Sequence, residues 1–407
     1  MNTDANASSC TAGKSCSGTS QTGLSGVLIT LLSFTAGISV ANVYMAQPLL
    51  NAMAHDLGVS AAHIGLVVTA TQIGYALGLF FLVPLGDLLS RRRLILVQIL
   101  LSACFLLTAS LSDSFFLLLL SLAAVGLMAT VVQVVVAFAA TLARPEERGS
   151  LVGRVTSGIV LGILMARLLS GAMSDLAGWR SVYMTSAALG IVTAGTLAIM
   201  LPRHNQGAMP AGYLDLLCSV PRLFMSEPVL RVRAVLAMLI FAAFSILWTA
   251  LVLPLSEPRV GLTHTQIGLF GLAGVAGTLA AARAGKRADV GKGQQTTGLA
   301  LVLLLLSWAP IAGLHASIAV LVLGVIILDF AVQAVHVTNQ SLILAVRPEA
   351  SSRLVGGYMI FYSIGSATGA FASTAAYGWA GWNGVCVLGA AVSLIALVFW
   401  QLTRPSC

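Results

Sequence analysis

The sequence predicts an all-α membrane protein of twelve transmembrane helices, and three observations support that fold. Of the 407 residues, 58% are hydrophobic and only 8% are charged, whereas soluble domains carry about 25% charged residues. The apolar runs approach or exceed the roughly 20 residues that a spanning helix needs, rather than the roughly 10-residue segments of a membrane barrel. Short motifs also recur at one constant offset along the chain, which indicates two homologous halves.

Twelve apolar stretches are the predicted spans. They lie at about 25–50, 62–84, 94–112, 115–142, 151–176, 180–202, 232–254, 264–284, 295–313, 316–346, 354–376 and 383–402. The organisation that follows is a disordered tail (1–24), a six-helix bundle (25–202), a central loop (203–231), a second six-helix bundle (232–402) and a short tail (403–407). The first 24 residues lack the basic start and cleavage site of a signal peptide, so the first span is expected to direct insertion.

The basic residues fix the predicted orientation. With both termini in the cytoplasm, all but three of the 21 lysines and arginines fall in cytoplasmic segments, as the positive-inside rule requires. Because these charges lie in loops, the net charge of +8 does not indicate nucleic-acid binding. We therefore expect a multi-pass protein of the bacterial inner membrane with both termini inside.

The repeat is visible as matching short motifs. Each lies 203 residues from its copy: Arg-Pro-Glu at 144–146 and 347–349, Leu-Val-Gly at 151–153 and 354–356, and Gly-Trp at 178–179 and 381–382. Several matches at one offset, at the same places relative to the spans, predict two pseudo-symmetric six-helix bundles. Transporters built from such repeats bind substrate between the repeats, near the middle of the membrane.

Span ten carries one polar stripe in an apolar run. Asp329, Gln333, His336 and Gln340 lie at i, i+4, i+7 and i+11 and so share one helix face. The carboxyl group of Asp329 is too deep in the span to reach water by itself. We expect it to take up and release a proton, and His336 could serve likewise; the alternative is a structural carboxylate locked to Arg167 or to hydroxyl groups.

Arg167 is a charge inside predicted span five. Such a charge costs roughly 2.5–3.5 kcal/mol on insertion scales and tends to face a partner or water. It could tune Asp329, bind an anionic group or extend toward an interface. Its equivalent in the second half is Ala370, so the fold itself does not demand the charge.

Two cytoplasmic loops carry a recognisable signature. The matching residues are Asp87, Arg91 and Arg92 after span two, and Gly285, Asp289 and Gly291 after span eight. This pattern resembles the Gly-x-x-x-Asp-Arg-x-Gly-Arg-Arg signature of the major facilitator superfamily, and the resemblance covers all twelve spans. It implies that Asp87 and Asp289 form latches that are made in one transport state and broken in the other. The alternative is that the basic residues are only cytoplasmic anchors.

Spans five and one resemble an exporter branch of that superfamily. Gly162-x-x-x-Ala166-Arg167-x-x-Ser170-Gly171 is similar to the motif of drug:proton antiporters, with Arg167 in place of its proline. The Asn-x-Tyr-x-x-Gln-Pro-Leu-Leu segment at 42–50 resembles bacterial efflux permeases. The resemblance implies that spans one, four, seven and ten line the cavity, where we expect these further residues: Asn42, Tyr44, Gln47, Gln133, Trp248 and Asn339. Tyr362, in span eleven, is a further candidate.

These residues predict a secondary transporter that exports a small organic molecule in exchange for protons. The alternative is uptake, by a proton symporter or a facilitator. An enzyme is not expected, because the sequence has no HExxH, GxSxG or paired carboxylates, and no cofactor or metal site is indicated. The expected partners are the substrate, protons and the lipid bilayer, with the protein acting as a monomer.

Overall fold

The computed structural model describes residues 26–142, 148–202, 212–346 and 351–404. Every regular element within these ranges is a helix. The predicted tail 1–24, the first nine residues of the central loop (203–211) and both Arg-Pro-Glu motifs lie outside the described residues.

The first half begins with α1 and ends with α9. Its helices are α1 (Gly26–Tyr44), α2 (Leu50–Asp56), α3 (Leu66–Phe81), α4 (Leu85–Leu88), α5 (Arg91–Ser110), α6 (Phe115–Ala129), α7 (Val131–Leu142), α8 (Arg148–Ala177) and α9 (Trp179–Met200). A 3₁₀ turn at Gln47–Leu49 separates α1 from α2. Pro48 lies in this turn, because proline cannot donate the backbone hydrogen bond that would continue α1.

The second half is preceded by a helix in the central segment. Its helices are α10 (Tyr213–Ser226), α11 (Pro228–Ala250), α12 (Val252–Leu255), α13 (His264–Leu269), α14 (Gly274–Asp289), α15 (Gly293–Ala312), α16 (Ile318–Leu344) and α17 (Ser351–Thr403). One 3₁₀ turn, Phe270–Ala273, joins α13 to α14, and a second, Gly313–His315, follows α15.

Nine helical stretches of the described chain are long and apolar enough to cross a membrane. The number differs from twelve at three places. Helix α3 has only 16 residues, the predicted span 264–284 is divided among α13, the 3₁₀ turn and α14, and α17 covers both predicted spans eleven and twelve, with non-helical backbone at Ala380 and Gly381. The helical class is confirmed, and the twelve separate spans stay a prediction.

The two halves touch along two equivalent seams. Gly65, just before α3, lies against the backbone of Ala370 in α17, and Gly268 in α13 lies against the backbone of Arg167 in α8. Each pair is related to the other by the 203-residue offset found in the sequence. A Cβ atom added at Gly65 or Gly268 would lie 2.6 Å or 2.5 Å from the facing carbonyl oxygen, so only glycine permits this approach.

Hydrogen bonds join the halves at the helix ends predicted to face outward. Thr69 Oγ1 donates to the carbonyl oxygen of Ala367 at 3.1 Å. Asp175, near the end of α8, accepts bonds from the backbone and side chains of His264 and Thr265 at 2.6–3.1 Å. The carboxylate thus caps the first turn of α13 from the opposite half. The halves are closed against each other at these outer ends.

Candidate functional site

Arg167 lies where the halves meet and is only 2% exposed. Its Nε donates to Gln47 Oε1 at 2.7 Å, in the turn that Pro48 creates. Its guanidinium carbon lies 3.6 Å from the centroid of the Trp248 ring, in α11 of the other half. The rings of Tyr44 and Phe244 lie 5.5 Å and 5.4 Å from the same carbon. The cation is held by aromatic faces, an interaction that strengthens when water is excluded.

Asp329 contacts the edge of the same tryptophan. Its side chain is 3% exposed in α16, and its Oδ1 accepts a hydrogen bond from Trp248 Nε1 at 3.0 Å. Among the described residues, Asp329 and Arg167 form no direct ion pair. Trp248 therefore contacts both charges, with its ring face on the cation and its N–H on the carboxylate.

Two tyrosines close the cluster beside Arg167. The hydroxyl groups of Tyr44, at the end of α1, and Tyr362, in α17, are hydrogen-bonded to each other across the halves. Both side chains are buried. This bond and the Arg167–Trp248 stack are two contacts between halves at the same level of the molecule. We call Arg167, Gln47, Trp248, Asp329, Tyr44 and Tyr362 the junction cluster.

One donor of the junction cluster is unsatisfied. Arg167 Nη2 is buried and has no hydrogen-bond partner among the described residues. A cavity of about 10 Å³ adjoins Arg167, Gln47 and Trp248, and a space of that size holds about one water molecule. A buried donor without a partner costs about 1–3 kcal/mol. The site therefore favours an acceptor oxygen next to Arg167.

His336 belongs to a neighbouring group. Its Nδ1 lies 2.9 Å from the hydroxyl oxygen of Tyr358. The Phe241 ring meets the imidazole edge-on at a centroid distance of 5.1 Å, and Phe241 in turn lies 4.0 Å from the ring of Tyr362. An aromatic contact thus connects His336 to the junction cluster.

Two polar residues of the first half have partners within that half. Gln133 Nε2 in α7 donates to the hydroxyl oxygen of Tyr75 in α3 at 3.5 Å. Asn42 Oδ1 in α1 accepts a bond from Ser186 Oγ in α9 at 2.6 Å. Neither has a hydrogen bond to the junction cluster.

Three predicted residues of span ten lie elsewhere. Asn339 is fully buried and accepts a bond from Arg233 Nη1 at 3.2 Å. Gln333 is half-buried, and its Cγ faces Gly277 of α14. Gln340 is half-buried near the far end of α16. Of the four-residue stripe, only Asp329 belongs to the junction cluster, and His336 reaches the cluster through the aromatic contact with Phe241.

The motif residues are packed at helix ends and crossings. Arg91 donates to the carbonyl oxygens of Gly86 and Ala137 at 3.1 and 3.0 Å, and Arg92 donates to that of Ala198.

The motif glycines lie at close helix contacts. Gly162 lies against the backbone of Gly37, Gly171 against that of His264, and Gly285 beside Val337. The side chains of Asp87 and Asp289 lie outside the described ones, so both latches remain predictions.

A wide apolar groove lies on the flank of the first half. It has a volume of about 800 Å³ and runs between α1, α8 and α9. Phe34, Leu161 and Leu169 on its rim are 49%, 57% and 55% exposed. These exposed apolar rims indicate a lipid-facing groove rather than part of the junction between the halves.

Several residues of these clusters were not identified from the sequence. Phe244 and Phe241 look like ordinary apolar residues of span seven. Arg233 sits at the start of α11 and was counted with the cytoplasmic charges, yet it is 4% exposed. Asp175 and His264 belong to no motif that pairs them, and no pattern in the sequence indicates their contact.

No metal site is present in the part of the chain that the structure describes: no three histidine, cysteine or acidic side chains lie together there. The chemistry that the junction cluster offers is ionic and hydrogen-bonding. A proton can bind Asp329, an acceptor can bind Arg167, and aromatic faces surround both.

Comparison with known proteins identifies the family. The family model described as Major Facilitator Superfamily matches residues 32–343. This chain belongs to the major facilitator superfamily. A transporter of Escherichia coli K12, YgaY, is 45% identical over 377 residues, covering 93% of this chain and 95% of that protein. The transporter SCO4007 of Streptomyces coelicolor is 32% identical over 387 residues, covering 93% and 88%.

Solved structures share the fold. A bacterial homologue of the human lysosomal transporter Spinster, crystallised facing inward, superposes with a TM-score of 0.76 at 16% identity and covers 92% of this chain and 96% of that one. The nucleoside transporter NupG gives a TM-score of 0.76 at 15% identity, covering 93% and 100%. The protein is therefore a multi-pass membrane transporter of the major facilitator fold and not an enzyme.

Proposed function

We propose that this transporter couples the movement of a small organic molecule to protons, with Asp329 as the proton site. The observation that carries the proposal is the Asp329–Trp248–Arg167 chain, which connects a buried carboxylate of one half to a buried cation of the other. Intramembrane carboxylates of this kind mark proton pathways in transporters. Alternating access needs such contacts between the halves to form and break.

The proposed step is the protonation of Asp329. A hydrogen bond to an ionised acceptor is roughly twice as strong as one between neutral groups. A proton on Asp329 therefore weakens the bond from Trp248 Nε1 and removes the charge that balances Arg167. The Trp248 ring is then free to leave the guanidinium, and the halves separate at their outer ends.

Export in exchange for protons is the first proposed direction. It is supported by the resemblance of span five to the antiporter motif, in which Gly162 and Gly171 provide close helix crossings. A further relative, from Helicobacter pylori, is named as a sugar efflux transporter and is 21% identical over 374 residues, covering 91% of this chain and 93% of that protein. The inner membrane, with both termini in the cytoplasm and one chain per unit, is the proposed setting.

Uptake of an acidic molecule together with a proton is the second proposal, and Arg167 favours it. The unsatisfied Nη2 can donate a hydrogen bond to a carboxylate oxygen of a substrate. Protonation of Asp329 removes the nearby negative charge, so proton and anion would assist each other's binding. Assistance of this kind moves both in the same direction.

The test is proton movement in proteoliposomes that contain the pH indicator pyranine. Benzoate, ethidium and arabinose serve as anionic, cationic and neutral probes. We expect wild-type protein to move protons with at least one probe and Asp329→Asn to lose this movement while still binding the probe. Asp113→Asn, which removes a carboxylate with 96% side-chain exposure, is the matched control. Unchanged proton movement in Asp329→Asn refutes the proton site.

The sign of that movement decides the direction. Protons that enter the vesicle as the probe leaves indicate exchange, whereas entry of both indicates co-transport. If benzoate alone is active and moves with protons, the second proposal replaces the first.

A further inference from the structure

Helix α10 carries an apolar stripe that faces away from the rest of the described chain. Leu214, Cys218, Pro221 and Met225 follow one another at i, i+4, i+7 and i+11, so at roughly 100° per residue they share one face. Leu214 and Met225 are 73% and 78% exposed, and Cys218 and Pro221 are exposed as well. A continuous apolar stripe of this kind is rarely left in water.

The opposite face of α10 is fixed on the second half. Leu217 and Leu223 are buried, and Leu223 packs in a small core with Leu230 of α11. The ring of Phe224 stacks on Phe361 of α17 at a centroid distance of 4.7 Å. These contacts set the rotation of α10, so the exposed stripe is not free to turn inward.

The start of α10 reaches the first half. The hydroxyl group of Tyr213 donates to the carbonyl oxygen of Phe81, the last residue of α3, at 2.9 Å. Phe81 ends a row on α3 that also contains Ile73 and Leu77, and these side chains are 43%, 49% and 45% exposed. In a membrane protein such a row faces lipid. The start of α10 thus lies beside the end of that lipid-facing row.

We infer that the stripe of Leu214, Cys218, Pro221 and Met225 lies in the membrane leaflet at this end of the helices, with lipid as its partner. Arg222, exposed at the edge of the stripe, can extend to anionic headgroups while its stem covers apolar surface. Helix α10 then closes the side of the molecule between the ends of α3 and α17. Lipid, rather than a soluble protein, is favoured because the stripe adjoins a surface already within the bilayer.

Cys218 gives a direct probe of this inference. Cys10, Cys16, Cys104, Cys386 and Cys407 are replaced by serine, and a nitroxide is attached to Cys218 in nanodiscs of phosphatidylcholine and phosphatidylglycerol. We expect collisions with oxygen to exceed those with the water-soluble nickel complex NiEDDA several-fold. The same label at Met225→Cys should agree. The matched control is Ser226→Cys without Cys218, which places the label off the stripe and should contact NiEDDA freely.

Two results overturn the inference. Equal NiEDDA access at Cys218, Met225→Cys and Ser226→Cys would place the stripe in water. Dipolar broadening between labels of neighbouring molecules would show that a second copy of this chain, and not lipid, covers it. Two labelled positions guard against a label that disturbs one site: the inference stands if either stripe position favours oxygen over NiEDDA and is overturned if neither does.

Discussion

The two seams between the halves have the same backbone geometry and different chemistry. At one seam Gly65 contacts the backbone of Ala370, and at the other Gly268 contacts the backbone of Arg167. A glycine of one half thus approaches the backbone of an alanine in one seam and the backbone of an arginine in the other. Packing does not require the arginine, and its buried side chain goes instead to Gln47 and Trp248.

The outer ends of the seams repeat this contrast. Asp175 accepts bonds from Thr265 in one seam, and the positions 203 residues away are Gly378 and Ala62. A Cβ atom on Gly378 would lie 2.7 Å from that of Ala62, so this second contact consists of packing alone. The comparison teaches that one seam joins through packing and the hydroxyl bond from Thr69 to Ala367, whereas the other carries the charged groups that can respond to protons or substrate.

Removal of Arg167 should have the largest effect on function. Arg167→Ala introduces the residue found at the equivalent position of the other seam, Ala370. We expect it to lower transport at least about tenfold, equal to roughly 1.4 kcal/mol. Thermal stability should fall, because the change leaves the buried Asp329 carboxylate without its balancing cation and takes the donor from Gln47 Oε1. Transport of a probe in proteoliposomes and thermal unfolding measure the two effects.

The control for Arg167→Ala is Ala370→Ser at the equivalent position, which should keep transport close to wild type. Equal losses of transport in both variants would mean that neither seam tolerates a change at this position. The two seams would then not differ in function.

Bulk at the glycines should affect both seams alike. Leucine at Gly65 or Gly268 forces side-chain atoms into the facing backbone, and overpacking of this kind typically costs about 1–3 kcal/mol. We expect similar decreases in the free energy of unfolding for Gly65→Leu and Gly268→Leu. Gly153→Leu is the control, since a Cβ atom at Gly153 meets nothing within 4 Å. A large loss in only one variant contradicts the equivalence of the seams.

Neutralising Asp175 should open only the polar seam. In Asp175→Asn the charge that holds the first turn of α13 is gone, and we expect a several-fold larger population with separated outer ends. Pulsed EPR distances between labels at Leu111 and Arg259 measure that population. Asp113→Asn should leave the distances unchanged. An unaltered distribution in Asp175→Asn shows that packing alone keeps the seam closed.

The smallest effects should come from Tyr75 and Tyr358, the hydrogen-bond partners of Gln133 and His336. Gln133 and His336 are equivalent positions, but the bond of Gln133 to Tyr75 is 3.5 Å long and that of His336 to Tyr358 is 2.9 Å. We expect Tyr358→Phe to lose about 0.5–1.5 kcal/mol, the usual net value of a hydrogen bond, and Tyr75→Phe to lose less. Unfolding of both variants in the same detergent compares them, and the reverse order would contradict the distances.

Sequence reasoning identified the two charges of the junction cluster because a charge in an apolar run is conspicuous. Arg167 and Asp329 stood out for that reason, and helical periodicity placed Asp329 on a polar stripe. Periodicity reports a shared face but not the neighbour across it, so the contact of Trp248 with both charges could not be derived. Periodicity likewise could not show that Gln333 and Gln340, on the same stripe, lie outside the junction cluster.

Hydropathy also limited the fold prediction. Arg233 was placed in a cytoplasmic segment because it starts an apolar run, but the described structure gives it buried partners in Asn339 and Thr297. Hydropathy reports composition and carries no information on tertiary hydrogen bonds. It likewise did not reveal the 3₁₀ turn at Phe270–Ala273 that divides the predicted span 264–284. The family fold, in contrast, followed from the composition, the repeat and the loop motifs.

The turns at Gly178 and Gly381 bear on how the protein is made. Each has a left-handed backbone, with φ of 79° and 60°, and each is followed at once by a tryptophan. Helices α8 and α9 are separated by one residue, and the two parts of α17 bend at Ala380–Gly381 without a loop. A connection this short leaves no segment that could stay on one side while its helices enter separately. We therefore expect each pair to enter the bilayer together, as a helical hairpin.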